Sequence, residues 1–192
     1  MFPAADFFLY CFASLATPGP NTLMALENGR RKGFRRGIWL NLGMLCGLSI
    51  VTLICLAFSK TLFDRLPLFQ PLMKLVGAVY MLYQAWKCLT RHGIDGRDPG
   101  KGDFLKGLTM QFINPKVFLA ATSIISNYLL PHFSSVPALA AMTLLIALQA
   151  FAYGVLWLGC GSVLSRFLAR HETGANRVMA LLLVYCAWKI AR

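Results

Sequence analysis

Two short motifs place proline beside asparagine inside long apolar segments. Residues 17–21 read T-P-G-P-N, and residues 114–116 read N-P-K. A proline within a helix removes one backbone hydrogen bond and collides with the preceding turn, so each motif predicts a broken helix. A helix that restarts after such a break presents free N–H groups and the positive end of its dipole. Because carboxylates bind at such ends, the motifs predict a site for an anionic group.

Lys116 adds a charge to the second motif. It lies about ten residues past Lys106, which corresponds to roughly 15 Å along a helix. Where such an apolar segment crosses a membrane, an ionisable side chain this far from the segment's end indicates a functional site. The sequence leaves its partner open: carbonyl groups freed by the broken helix, Glu27, or a substrate carboxylate. The competing interpretation is that the long side chain extends to the membrane surface.

Three further polar residues are candidates for the same site. Gln111 lies one turn before Asn114 and shares its helix face. Asn41 is polar within the second apolar segment, where it either lines a substrate path or hydrogen-bonds a neighbouring helix. Glu27 follows Asn21 by six residues and precedes a basic cluster. It either relays protons or balances the neighbouring positive charges.

The candidate substrate-binding set therefore comprises the two motifs and two nearby amides. Broken membrane helices at matching places in two halves of a chain are typical of the substrate site of a transporter. The members of the set are Thr17, Pro18, Gly19, Pro20, Asn21, Asn41, Gln111, Asn114, Pro115 and Lys116, with Glu27 as the candidate for coupling transport to an ion gradient. The sequence has no C-x-x-C pair and no cluster of His and Cys, so we expect no metal and no cofactor. The three histidines fall in predicted loops, and no catalytic residues are expected.

Membrane helices are the elements that must position these residues. The chain has 192 residues, of which 57% are hydrophobic and only 14% are charged. A bilayer span needs about 20 apolar residues, and the uncharged stretches predict an all-α membrane protein with no soluble domain. The predicted spans are residues 4–27, 37–59, 67–87, 106–130, 138–164 and 174–191.

The charge distribution predicts the orientation of these six spans. The formal net charge is +12, and most lysines and arginines lie in the loops after the first, third and fifth spans. Short basic loops stay on the cytoplasmic side, so both termini are predicted to lie outside. Nucleic acid is not expected as a partner, because the aromatic residues lie in the spans and form no stacking platform beside the basic residues.

A short internal sequence repeat suggests that the chain is built from two halves. Residues 83–87 read Y-Q-A-W-K and end the third span, while residues 185–189 read Y-C-A-W-K and end the sixth. Three spans is an odd number, so equivalent halves run in opposite directions and form an inverted repeat. The predicted division is repeat 1 at about 1–89, a cytoplasmic connector at about 90–105, and repeat 2 at about 106–192. The alternative is that aromatic residues and lysine simply mark a membrane interface.

Several of these features together resemble the lysine exporter / homoserine–threonine exporter family (LysE/RhtB). They are P-G-P-N at 18–21, G-F-R at 33–35, the glycine-spaced second span, and F-I-N-P-K at 112–116. The resemblance covers essentially the whole chain. Residues 181–187 are most similar to the cysteine/O-acetylserine exporter branch.

The resemblance implies a six-span inner-membrane exporter of a small neutral amino acid or derivative, such as cysteine, O-acetylserine, homoserine or threonine. It also implies ion-gradient coupling and a homodimer. Family members commonly carry Asp or Asn after Pro-Gly-Pro, and Asn21 here implies no acidic proton site at that position. The alternative is a carrier of another class in the same clan. A thiol or electron carrier requires a redox cysteine pair beside the breaks, and a metal-ion exporter requires acids or histidines within the spans.

Overall fold

The computed structural model describes residues 2–90 and 101–191, and within these ranges the chain is helical with no strands. The α-helices are α1 (Ala4–Cys11), α2 (Pro20–Ala57), α3 (Ser59–Thr90), α4 (Lys101–Ile113), α5 (Pro115–Ile124), α6 (Val136–Arg170) and α7 (Glu172–Ala191). Two π-helical segments, Phe12–Ala16 and Ile125–Leu129, extend α1 and α5. The all-α prediction is confirmed. Most of the predicted connector, residues 91–100, lies outside the described residues.

The chain reverses direction inside α2, at Gly33. This residue has a φ of 73°, a conformation that glycine adopts without steric cost because it has no Cβ. The side chain of Asn28 donates a hydrogen bond of 3.1 Å to the carbonyl of Gly37, although nine residues of straight helix would separate them by about 13 Å. The first and second predicted spans are therefore joined by a sharp turn rather than by a loop.

Part of the described chain is long and apolar enough to cross a membrane. Residues Pro20–Ala57 and Val136–Ser165 meet this criterion singly, and the pair Gly102–Ile113 and Pro115–Leu129 meets it together with a bend of 65°. The segment Ala4–Ala16 is apolar but shorter. These helices account for up to three spans by length and composition, and the six-span arrangement stays a prediction.

Glycines bring α2 and α4 into backbone contact. A Cβ at Gly43 would lie 2.0 Å from the carbonyl oxygen of Phe104, and one at Gly107 would lie 2.1 Å from that of Leu40. Gly47 faces the carbonyl of Leu108 in the same way, at 2.6 Å. Small residues permit such close packing of membrane helices. Gly43 and Gly47, the glycines that space the predicted second span, therefore serve helix packing.

The first half of α2 meets α6 through a second reciprocal pair. A Cβ at Gly29 would lie 2.1 Å from the carbonyl oxygen of Leu158, and one at Gly161 would lie 2.0 Å from that of Leu26. The α2–α6 contact lies beside the turn at Gly33, whereas Gly47 of the α2–α4 contact also lies close to the side chain of Gln111. Backbone packing therefore joins α2 to both α4 and α6.

Candidate functional site

The first break separates α1 from α2. Thr17 is extended, with a ψ of 149°, and α2 begins at Pro20. The N-cap of α2 is Gly19, and its N–H donates a hydrogen bond of 2.8 Å to the hydroxyl of Thr22. The indole N–H of Trp157 donates to the carbonyl of Ala16 at 3.1 Å. The break therefore survives because α6 satisfies a carbonyl that the interrupted helix leaves free.

The second break has the geometry that its residues predict. Asn114 is the N-cap of α5, its side-chain oxygen accepts a hydrogen bond of 3.1 Å from the N–H of Lys116, and Pro115 occupies the first turn. Proline suits that position because its missing N–H would have no partner there. Helices α4 and α5 meet at this point with a bend of 65°.

Three amide side chains join the two breaks. The amide nitrogen of Asn21 donates to the side-chain oxygen of Gln111 at 2.8 Å. The oxygen of Asn21 accepts a hydrogen bond of 3.0 Å from Asn114. Gln111 and Asn114 are buried. The N-terminal ends of α2 and α5, which the sequence places in opposite halves of the chain, thus meet inside the molecule.

Lys116 contacts the unwound segment of the first break. Its ammonium group donates to the hydroxyl of Thr17 at 3.0 Å and to the carbonyl of the same residue at 3.3 Å. Of the partners that the sequence left open, the structure shows a carbonyl of the broken helix. Gly19 leaves room for this arrangement, because a Cβ there would lie 3.0 Å from the lysine nitrogen.

A small cavity of about 50 Å³ lies where these groups converge, and we call it the central cavity. Eight predicted site residues line it: Thr17, Gly19, Pro20, Asn21, Asn41, Gln111, Asn114 and Lys116. Ser14, Phe151 and Gly154 also line it and were not predicted, since α1 and α6 carry no motif that marks them. None of the lining residues that the structure describes is acidic, and Lys116 is the charged one among them.

A much larger cavity of about 1030 Å³ adjoins the central one, and we call it the large vestibule. The two share lining residues that include Thr17 and Lys116. Predicted site residues Pro18 and Pro115 line the large vestibule, not the central cavity. The Lys116–Thr17 contact therefore stands at the boundary between the two spaces.

Glu27 lies apart from this cluster, in a third cavity of about 300 Å³ that we call the basic vestibule. Its carboxylate forms an ion pair of 2.8 Å with Arg30 and a second one with Arg31. Lys32 and Asp103 form a further ion pair of 2.7 Å at the same vestibule. The pairing of Glu27 favours the interpretation that it balances the basic cluster.

An apolar cluster lies between the basic vestibule and the central cavity. It contains five buried methionines together with leucine, alanine and cysteine side chains. Met44 belongs to the cluster and lines the central cavity, whereas Leu23, Met24 and Leu183 belong to it and line the basic vestibule. The cluster therefore separates the central cavity from the basic vestibule, whereas the central cavity shares lining residues with the large vestibule and meets it at the Lys116–Thr17 contact.

Comparison with known proteins gives matches over nearly the whole chain. The family model for LysE type translocators matches residues 12–192. A cysteine/O-acetylserine efflux protein of Salmonella paratyphi A (strain ATCC 9150 / SARB42) is 33% identical over 187 residues, which cover 96% of this chain and 95% of the relative. The protein of that name from Escherichia coli (strain K12) is 31% identical over 185 residues, with the same coverage. No solved structure matches the chain.

Proposed function

The chain belongs to the LysE type translocator family, and we propose that it exports a small neutral amino acid or derivative from the cytoplasm across the inner membrane. It is a membrane transporter and not an enzyme. The names of its relatives make cysteine and O-acetylserine the first substrates to test. Homoserine and threonine follow, because they share the size and the net charge of these compounds.

The meeting of two helix N-termini beside Lys116 carries this proposal. Free N–H groups and the helix dipole at the starts of α2 and α5 favour a carboxylate. An ammonium group has three N–H donors, and the contacts of Lys116 with Thr17 use two of them. The third is available to a substrate carboxylate.

The charge balance of the central cavity favours neutral over basic amino acids. Its described lining contains Lys116 and no carboxylate. The carboxylate of a zwitterion offsets the lysine charge, while its ammonium group finds amide and backbone oxygens. A substrate with a second positive charge would meet Lys116 without compensation in a poorly solvated space, which is unfavourable.

The sizes of the cavities support transport by alternating access. A volume of about 50 Å³ exceeds the roughly 10–15 Å³ that one water needs, but it is too small for an amino acid. Entry from the large vestibule requires Lys116 and Thr17 to separate. Entry from the basic vestibule requires the methionine-rich cluster and the glycine contacts to loosen. We infer that the structure represents a state that faces the large vestibule.

The proposed cycle uses two inverted halves, residues 1–89 and 106–192, which rock around the central cavity. The repeated motifs that end the third and sixth predicted spans have the same local helical geometry. The centroids of Tyr83 and Trp86 lie 6.1 Å apart with an interplanar angle of 30°, and those of Tyr185 and Trp188 lie 6.0 Å apart at 34°. The positive-inside rule assigns the basic vestibule to the cytoplasm and both termini to the outside. We also propose that two copies of the chain form a homodimer.

An efflux assay with purified protein tests the function. Proteoliposomes loaded with individual amino acids, or with O-acetylserine, should release small neutral compounds faster than protein-free liposomes do. Lysine and arginine should be retained. Release of basic amino acids alone, or of none of the compounds, would reject the proposal.

A further inference from the structure

We propose that Asn41 recognises a hydrogen-bonding group in the substrate side chain, so that the exporter selects small amino acids with a hydroxyl or thiol over those with a methyl group of the same size. This inference rests on the proposed function, because it assigns a role at the same cavity. It adds a residue that determines specificity to the groups that receive the carboxylate.

The surroundings of Asn41 carry the inference. The residue is 1% exposed and lines the central cavity. Neither its amide nitrogen nor its amide oxygen has a hydrogen-bond partner among the residues that the structure describes. Buried amides are almost always paired, since leaving them unpaired forfeits their interactions with water. An unpaired, buried amide at a cavity therefore points to a ligand.

Most of the other polar side chains that line the cavity are already engaged. Asn21, Gln111 and Asn114 bond to one another, and Lys116 bonds to Thr17. These contacts fix the two breaks and the ammonium group. By contrast, Asn41 offers one acceptor and two donor hydrogens. A hydroxyl or thiol can both donate and accept, whereas a methyl group can do neither.

The sequence left a second role open for Asn41, a hydrogen bond to a neighbouring helix. Helix α6 lies against Asn41 at Gly154, where an added Cβ would lie 3.2 Å from the amide nitrogen of Asn41. Gly154 therefore provides space for the amide without bonding to it. No helix–helix hydrogen bond of Asn41 is present in the described part of the chain.

Helix α6 also supplies a matched control. Gly159 lies one turn and a half after Gly154, and a Cβ there meets nothing within 4 Å among the described residues. In Gly154→Ala the added methyl group should displace the amide of Asn41. Gly159→Ala adds the same methyl group where no described atom lies within 4 Å. The two variants separate an effect on the amide from a general effect of alanine in this helix.

The test compares serine and cysteine with α-aminobutyrate, which replaces the hydroxyl or thiol by a methyl group. In proteoliposomes the wild type should prefer serine over α-aminobutyrate by about tenfold to hundredfold in the ratio of Vmax to KM, the effect of one buried hydrogen bond. Cysteine should show a smaller preference, because a thiol is a weaker donor and acceptor. In Asn41→Leu both preferences should fall to about twofold or less, as a site without the amide gains nothing from a polar side chain.

The outcomes separate this inference from the proposed function. If the wild type releases no amino acid at all, the exporter proposal itself fails. If it releases them without preference, or if Asn41→Leu keeps the preference or lowers all rates equally, only the role of Asn41 is rejected. If Asn41→Leu fails to fold, the comparison of Gly154→Ala with Gly159→Ala tests the role of Asn41 instead. A preference reduced in Gly154→Ala but intact in Gly159→Ala supports the inference, and an intact preference in both rejects it.

Discussion

The side-chain amide of Asn114 donates a hydrogen bond of 3.0 Å to the side-chain oxygen of Asn21. Each asparagine stands beside a proline in the first turn of a helix, and 93 residues separate them. The bond ties the two interrupted helices together at the central cavity. Any motion that changes the cavity must preserve this bond or exchange it for a bond to the substrate.

Replacing Asn21 by alanine should weaken transport and also reduce the stability of the protein. The change removes hydrogen-bond partners of both Gln111 and Asn114, and each unpaired buried group costs about 1–3 kcal/mol. We expect Asn21→Ala to lower efflux at least about tenfold, since 1.4 kcal/mol corresponds to this factor. Asn127→Ala is the control, because Asn127 is exposed and bonds only locally to Ser123. Equal efflux in both variants would remove Asn21 from the site.

The prolines that open α2 and α5 should be required for efflux but not for membrane insertion. A proline disfavours helical geometry in the residue before it, so Pro20→Ala or Pro115→Ala lets the preceding segment join the helix. A continuous helix would hide the N-terminal end that binds the carboxylate. Efflux should be lost while immunoblots show normal protein in the membrane. Pro137→Ala, at an exposed position in α6, should behave as the wild type, and active Pro20→Ala protein would reduce that proline to a packing feature.

Removing the charge of Lys116 should raise the KM for efflux far more than it lowers the protein level. An unrelieved charge near mid-membrane costs about 2.5–3.5 kcal/mol, and the contacts with Thr17 together with the substrate would offset this cost. Lys116→Met should therefore weaken substrate binding, and Lys116→Arg should restore it only in part because guanidinium is larger and planar. Lys189→Met, which removes a charge elsewhere in the large vestibule, should change the KM much less. If the KM of Lys116→Met equals that of the wild type, the backbone N–H groups of the two breaks, and not Lys116, bind the carboxylate.

A double variant checks that Lys116 acts independently of Glu27. Because Glu27 pairs with Arg30 and Arg31, the effects of Glu27→Gln and Lys116→Met should multiply. Independent sites show such additivity of free energies. A double variant that is milder than Lys116→Met alone would instead show that the two side chains interact during transport.

The glycine contacts between α2 and α6 should be sensitive to a single methyl group. A Cβ at Gly161 would lie 2.0 Å from the carbonyl oxygen of Leu26. Because this oxygen is a backbone atom, no change of side-chain rotamer can relieve the contact. Overpacking of this kind costs about 1–3 kcal/mol. Gly161→Ala should lower the melting temperature of the purified protein, whereas Gly159→Ala should leave it unchanged. Equal melting temperatures would show that α2 and α6 separate easily at this contact.

Reporter fusions should locate the two ends of the molecule. We expect a reporter fused after Arg192 to be active only outside the cytoplasm, and one inserted at Gly96 to be active only inside it, because the basic loops stay in the cytoplasm. Both fusion points lie outside the described residues. The reverse pattern would overturn the orientation and assign the large vestibule to the cytoplasm.

The sequence by itself determined the class of protein, the broken helices and eight of the residues that line the central cavity. Proline acts on its own backbone and on the residue before it, so the breaks at Pro20 and Pro115 can be read locally. The cap at Asn114 is equally local. Apolar segments of span length predict membrane helices because the bilayer sets that length. The family resemblance rests on the same motifs.

Tertiary structure alone decided which of these residues meet and what each one contacts. The sequence could not choose between three partners for Lys116, because Thr17 lies 99 residues away and is brought near only by packing. It gave no sign of Trp157 or Gly154, whose roles depend on how α6 lies against the first break and Asn41. Nor could it place Glu27 outside the central cavity, since the reversal at Gly33 and the arginines that follow fix that position. Contacts between distant segments depend on the shapes of whole helices, and a local motif does not contain that information.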